Sequence, residues 1–293
     1  MSDVTVRLAL VSHPDDVAAL TDIARRVRGG RVTITAESIE AALCDDGDFD
    51  AAVVHSPADA RRATEAGKHI LLDAPISQSV KAAESLLNLV EQAGVVLAVG
   101  RLPRHSPANQ AIIDRLSSGK LGEPGLLRVH RWSSEPEQSL AAKTFGHLEL
   151  ALHLFDANPT EVYAIAVGHQ SYLQIHLGFP KGGMAILDFS ERLPAGQDYD
   201  SLSVIGSQGA AYSDDHHNTH LLFGGANPTA LISDCGSGQL HEIQSFVDCV
   251  ARGTPPATVG KAILAVHRVI EVVGRSIDSG KVFHDREGFY EPV

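Results

Sequence analysis

Cysteine, aromatic residues and positive charge are all scarce in this chain, and each shortage excludes a class of function. The three cysteines, Cys44, Cys235 and Cys249, are odd in number and far apart, with no CxxC pair. That excludes a disulfide framework and a zinc ribbon, and it fits a reducing, cytoplasmic compartment. Lysine and arginine number 24 against 36 aspartates and glutamates, a formal net charge of −12. Such a surface repels phosphate backbones and anionic lipid, so neither nucleic acid nor a membrane is an expected partner. No stretch approaches the roughly 20 apolar residues of a membrane-spanning helix. The first apolar run, Val6 to Val11, is interrupted by Arg7 and is too short for a secretion signal. Aromatics make up 5%, and Trp132 is the only tryptophan.

What remains is an ordinary globular composition: 293 residues, 44% hydrophobic and 20% charged. At roughly 150 residues per domain this length predicts two domains. Residues 4–11, 31–35, 50–55, 69–73 and 95–99 read as short apolar strands, separated by helical patterns. Nearly continuous apolar strands alternating with helices imply a parallel sheet covered on both faces. The pattern runs to about residue 122. After a strand at 125–134 and a helix at 146–157, residues 161 to about 223 read as successive strands with short turns. That is a mainly antiparallel sheet. Residues 223–238 read as a loop, and helices at about 240–251 and 259–278 close the chain. The expectation is a shortened Rossmann-like α/β domain over 1–122, then an α+β domain with an open sheet over 123–293. Helices can cover one face of that sheet, so a homo-oligomer is expected to cover the other.

The helix at 146–157 carries the clearest chemistry. Glu149, His153 and Asp156 fall at i, i+4 and i+7, on one helical face. Their neighbours are almost all apolar, and buried carboxylates or imidazoles are costly unless paired. A histidine beside a carboxylate suits acid–base work near neutral pH. The rival reading is a polar network that only orients the helix. His147 lies off this face and no HExxH spacing exists, so no metal site is expected. His130 and Trp132 share one strand face, and an aromatic face can stack on a sugar ring. Arg104 can bind an anionic group. Arg104, His130, Trp132 and His147 are therefore the substrate-side candidates, around a pocket expected between the domains. His13 and His55 lie at the carboxyl ends of parallel strands, where open α/β sheets bind ligands. The run 214–220 (DDHHNTH) reads as a solvated turn.

Several phrases, in order, carry a family resemblance. They are 49–54 (FDAAVV) with Pro57, 65–75 (EAGKHILLDAP), 99–101 (VGR) with Arg104 and Pro107, 119–123 (GKLGE), Glu149 with His153 and Asp156, 246–248 (FVD) and 276–281 (SIDSGK). Together they resemble the glucose–fructose oxidoreductase/inositol dehydrogenase (Gfo/Idh/MocA) family. The resemblance covers residues 50 to 285. It implies a dinucleotide-binding domain followed by an open-sheet domain, NAD or NADP as cofactor, and a sugar or polyol as substrate. It also implies that His153 and Glu149 are the acid/base pair. Pro57 and Pro75, which fall in the matching phrases, join His13 and His55 as candidates near the cofactor. Pro75 would redirect the chain after its strand, through a cis bond.

The sequence departs from the family pattern at three places. The turn after the first strand is Ser12-His13-Pro14-Asp15-Asp16, with no glycine and with carboxylates where phosphates would sit. One strand–helix unit is missing before Asp50, and the acid that grips the ribose is expected to be absent, Glu37 being the nearest alternative. The family's Glu-Lys-Pro becomes Asp73-Ala74-Pro75, and Ala74 cannot supply the lysine's proton. Lys68 and Lys143 are the substitutes the sequence offers. Three readings stay open: an oxidoreductase of this family in which NAD(P) hydride transfer is in doubt, a non-catalytic binding or assembly protein, and a cofactor-independent lyase, isomerase or hydrolase using Glu149 and His153.

Overall fold

The computed structural model describes residues 5–44, 48–73, 76–77, 79–137, 139–214, 219–223, 229–231, 237–256 and 260–293. The chain divides into two compact units, residues 1–102 with 236–264, and residues 103–235 with 265–293.

In the first unit, strands and helices alternate as the sequence pattern predicts. They are β1 (Val6–Val11), α1 (Pro14–Ala24), β2 (Gly30–Ala36), α2 (Ile39–Cys44), β3 (Ala51–Val54), α3 (Pro57–Glu65), β4 (His69–Leu72), α4 (Val80–Ala93) and β5 (Leu97–Val99). All five strands are parallel, in the order β2-β1-β3-β4-β5. The strands β3, β4 and β5 are buried almost throughout, because helices cover both faces. The edge strand β2 alternates half-buried with exposed residues.

The second unit holds a 3-10 turn (Pro103–His105), α5 (Pro107–Ser117), β6 (Pro124–Trp132), α6 (Leu140–Phe155), β7 (Glu161–Val167), β8 (Tyr172–Gly178), β9 (Met184–Ser190), β10 (Tyr199–Gly206), β11 (Ala210–Asp214), β12 (Thr219–Phe223) and β13 (Thr229–Leu231). Next in the chain come α7 (Ser237–Arg252), α8 (Gly260–Ser279) and a hairpin of β14 (Phe283–Arg286) and β15 (Phe289–Pro292). Among the described residues the sheet has ten strands, in the order β13-β12-β11-β10-β6-β9-β8-β7-β14-β15. Only β6 and β9 run parallel; the other neighbours are antiparallel.

Side chains alternate across this sheet. Leu127, Val129, Ile175, Leu187, Leu202 and Val204 are buried, and α6 packs on β6 and β9. The opposite face carries Trp132, Ile165, Tyr172, Met184 and Ile205, all exposed. Among the described residues, no helix is long and apolar enough to cross a membrane.

Four features differ from the sequence reading. First, α7 does not join the second unit. Its Ile243, Phe246 and Val247 pack among Leu8, Leu10, Leu20 and Val27, in the core of the first unit. Chain order suggested otherwise, but an amphipathic helix packs wherever an uncovered sheet face lies, and periodicity does not name that face. The division at 102/103 likewise precedes the expected one at 122/123. Second, α6 starts at Leu140, six residues early, because the Ser139 side chain accepts a bond from the Ala142 amide and caps it. Third, β13 forms inside the segment read as a loop. Fourth, the C-terminal hairpin extends the sheet beyond the strands expected.

In the second unit, α8 buries His267 at 2% exposure, with its ring 5.3 Å from that of Phe145. Its Nε2 has no hydrogen-bond partner among the described residues, and burial pushes its pKa down to about 4. The unfolded chain therefore takes up a proton near pH 6.5 that the folded chain refuses until about pH 4. Stability is intact above pH 6.5 and falls as the pH drops from there to 4, by on the order of 3 kcal/mol. Urea midpoints at pH 7 and pH 4.5 should show this loss in the parent and a smaller one in His267→Leu. An identical pH dependence in both would contradict it.

Candidate functional site

The second unit brings Arg104, Glu149 and His153 together. Arg104 lies in the 3-10 turn, whose backbone is tied down by α5. The Asn109 side-chain amide donates to the Pro103 carbonyl at 2.9 Å, and that of Gln110 donates to the Arg104 carbonyl at 2.5 Å. From there Arg104 Nη1 donates to Glu149 Oε1 at 2.7 Å, and Nη2 lies 3.4 Å from His153 Nε2. Glu149 is only 3% exposed, Arg104 is buried, and His153 is exposed one helical turn further on. A guanidinium can only donate, so its approach marks His153 Nε2 as the acceptor nitrogen. Crowding by protein lowers the His153 pKa from 6.5, and the Arg104 charge pushes the same way. Glu149 and Asp156 offset only part of this. Together these favour the neutral imidazole, with its Nε2 lone pair turned toward Arg104. Asp156 serves the helix instead. At φ 46° it closes α6 in the left-handed conformation, with its N–H directed at the His153 carbonyl.

The other substrate-side candidates do not join this cluster. His147 is buried, with its Nε2 3.2 Å from Asp200 Oδ2 and its ring edge against Phe189. His130 and Trp132 lie on the open face of the sheet, whereas α6 lies on the other. There His130 Nδ1 is 3.1 Å from Asp188 Oδ2, and Trp132 packs against His130 and Tyr199. His130, Trp132 and Asp188 border a recess of about 570 Å³ with Ile165, Tyr172 and Gln174. Strand alternation puts His130 and Trp132 on one face, as expected, but that face is not the one carrying Glu149.

In the first unit, a pocket of about 500 Å³ opens at the carboxyl ends of β1 and β3, lined by His13, His55, Asp16, Glu37, Asp59, Asp73 and Arg101 among others. Pro57 is the first residue of α3, behind the cap in which Ser56 Oγ accepts from the Asp59 amide. Its role is to start a helix. Pro75 and Ala74 lie outside the described residues, as do residues 215–218 of the histidine-rich run. His55 Nδ1 is 3.3 Å from Asp73 Oδ2, and Arg101 Nε is 3.3 Å from Asp73 Oδ1. Arg101 reaches there from a left-handed backbone, φ 56°, which a non-glycine residue adopts only at a cost. Burial raises the Asp73 pKa, but His55 and Arg101 outweigh it and hold the carboxyl below its usual value.

Sequence reasoning missed the fourth member of this group. Glu242 of α7 is buried beside Gly100 and accepts from the Leu102 amide at 3.3 Å. A Cβ at Gly100 would meet Asp73 Oδ1 at 2.9 Å and Glu242 Oε2 at 3.2 Å, which is why glycine stands there. Burial, and then the Asp73 charge, push Glu242 up to about 7. Gly100 was legible as part of a motif, but nothing in the sequence signalled which distant carboxylate it admits.

Whether these residues fit NAD(P) is decided by the donors after β1. Pro14 has no N–H, and the amides of Asp16 and Val17 both donate to the His13 carbonyl. No glycine lets the backbone approach, and Asp16 and Asp59 place carboxylates in the lining. A diphosphate therefore does not fit this turn. Glu37 follows β2, the neighbour of β1, and lies in the pocket lining. Neither lysine stands in for the missing one. Lys68 Nζ donates to the Phe49 carbonyl at 2.8 Å. Lys143 Nζ lies 3.0 Å from Glu191 and donates to the Gln170 carbonyl. Among the described residues, no three His, Cys, Asp or Glu side chains are grouped as metal ligands would be.

Comparison with known proteins agrees with this architecture. Residues 12–101 match the model of GFO_IDH_MocA, the oxidoreductase family with an NAD-binding Rossmann fold. The uncharacterised oxidoreductase YrbE of Bacillus subtilis (strain 168) is 31% identical over 201 residues, covering 60% of this chain and 59% of YrbE. The inositol 2-dehydrogenase of Rhizobium meliloti (strain 1021) is 24% identical over 274 residues, covering 83% and 82% of the two chains. An oxidoreductase from Agrobacterium radiobacter, solved in complex with NAD+, L-tartaric acid and magnesium, superposes with a TM-score of 0.80 at 17% identity. That superposition covers 95% of this chain and 98% of the other, and it shows the shared fold.

The Arg104–Glu149 contact can be tested by removing one partner and then both. Arg104→Met leaves a buried carboxylate without its cation and should cost about 3–5 kcal/mol. The double variant Arg104→Met/Glu149→Leu should recover most of that loss. Denaturant midpoints for the two variants check it, and losses that simply add would contradict the pairing.

Proposed function

Because the chain belongs to the Gfo/Idh/MocA oxidoreductase family, we propose that it acts on a sugar- or polyol-type small molecule at the Arg104–Glu149–His153 cluster. The observation that carries this reading is the exposed His153 held beside the buried Arg104–Glu149 ion pair. Arg104, fixed by Glu149, offers hydrogen bonds to a ligand oxygen. His153 takes or returns the proton of a hydroxyl group. The dehydrogenase names of relatives such as the inositol 2-dehydrogenase of Rhizobium meliloti support this substrate class.

NAD or NADP is the cofactor that membership implies. The turn after β1 does not supply its phosphate donors, so no step of this chain is routed through it. That mismatch, with Ala74 in place of lysine, favours a second reading: the same cluster binds its ligand, or moves its proton, without a nicotinamide. Cysteine usage supports a cytoplasmic location. The open face of the second sheet, with Ile165, Tyr172, Met184 and Ile205 exposed, supports a homo-oligomer that covers it. Light scattering should then give at least twice the 31.1 kDa chain mass, and a monomer would contradict the assembly.

The site itself is tested with His153→Ala against a panel of inositols, hexoses and their alcohols, each with and without NAD+. Binding or turnover should fall at least about tenfold, with the melting temperature nearly unchanged because His153 is exposed. Any turnover should have an acid limb below pH 6.5, where a histidine of lowered pKa first protonates. An unchanged affinity with a lowered melting temperature would reduce His153 to a structural role.

A further inference from the structure

Arg104 is held at both ends, and by different helices. At the guanidinium end, Glu149 Oε1 accepts from Nη1 at 2.7 Å and His153 Nε2 lies 3.4 Å from Nη2. Both of these partners belong to α6. At the main-chain end the grip comes from α5. Its successive residues Asn109 and Gln110 send their side-chain amides to successive carbonyls of the 3-10 turn, Pro103 at 2.9 Å and Arg104 at 2.5 Å. Asn109 is only 9% exposed, so its amide is committed to the turn and not to water.

The bond from Asn109 is not needed to close the turn. The Ser106 amide already donates to the Pro103 carbonyl at 3.0 Å, and the Ser106 hydroxyl starts α5 by accepting from the Asn109 amide at 3.2 Å. A carbonyl has two lone pairs. Here one takes a backbone donor that any residue at 106 except proline would supply, and the other takes a side-chain donor that ties the turn to α5.

What that tie controls follows from the charges around His153. Glu149 and Asp156 act on the ring from its own helix, and Arg104 acts on it from the turn. The first two travel with the ring. Arg104 alone reaches it from a separate element, so its distance depends on how that element is held. A charge acts more weakly as it recedes, and a guanidinium on a long flexible stem does not fix its own distance.

We infer that Asn109 and Gln110 are positioning residues of the candidate site, which fix the turn from which Arg104 reaches Glu149 and His153 together. This rests on the reading of the cluster in which Arg104 governs the His153 ring.

The double variant Asn109→Leu/Gln110→Met keeps the approximate shape of both side chains and removes their donors, while Ser106 still closes the turn. Ring resonances of isotope-labelled histidine, with His153 assigned from His153→Ala, should be titrated in the full-length parent, the double variant, Arg104→Met and Ile175→Val. The last loosens a buried position of β8 and controls for lost stability. The His153 midpoint should rise in the double variant by at least half of its rise in Arg104→Met. Each single variant should give a smaller rise in the same direction, which keeps the test open should the double variant not fold. Ile175→Val should melt lower with the parent midpoint. A parent midpoint in the Asn109 and Gln110 variants, alongside a raised one in Arg104→Met, would overturn the positioning role and leave the reading of the cluster standing. So would an equal rise in Ile175→Val. No rise in Arg104→Met would overturn that reading and the positioning role with it.

Discussion

A carboxylate buried inside an apolar helix has to meet a cation or give up its charge, and the contact between Glu149 and Arg104 satisfies that demand. Much of the second unit follows from it. The 3-10 turn must hold Arg104 in place, which the bonds from Asn109 and Gln110 accomplish. Helix α6 must then present Glu149 inward and His153 outward, one turn apart. Because the guanidinium already faces a carboxylate, its second nitrogen is left to approach His153 and to disfavour its protonation. A structural ion pair and a proton acceptor are thus built from a single arginine.

The sheet imposes the other constraint. Residues two apart on a strand share a face, and α6 occupies only one of the two faces. His130 and Trp132 consequently belong with Asp188 and Tyr172, away from Glu149. The first unit obeys a parallel rule of position. The carboxyl ends of its strands gather whatever the turns carry, and here the turns carry aspartates, glutamates and histidines in place of glycines.

Periodicity made the strand–helix alternation of the first unit readable, because apolar runs of four to six residues between helical patterns fit buried parallel strands and little else. The i, i+4 spacing of Glu149 and His153 was readable for the same reason. What stayed hidden depends on contacts distant in sequence. Helix α7 lies more than 200 residues after β1, yet its Phe246 and Val247 complete the core around Leu8 and Leu10. Glu242 travels with that helix, so its meeting with Asp73 over Gly100 could not be inferred from any local pattern. The start of α6 was missed because one serine cap outweighs several residues of indifferent propensity.

The central claim is that Arg104, fixed by Glu149, keeps His153 neutral and accepting at physiological pH. An NMR titration of the ring resonances of isotope-labelled histidine, with His153 assigned by comparison to His153→Ala, tests it most directly. The account predicts a midpoint for His153 below the ordinary 6.5, rising towards it when Arg104 is replaced by methionine. A midpoint at or above 6.5 in the parent protein would mean that the carboxylates dominate the ring, and would contradict the account.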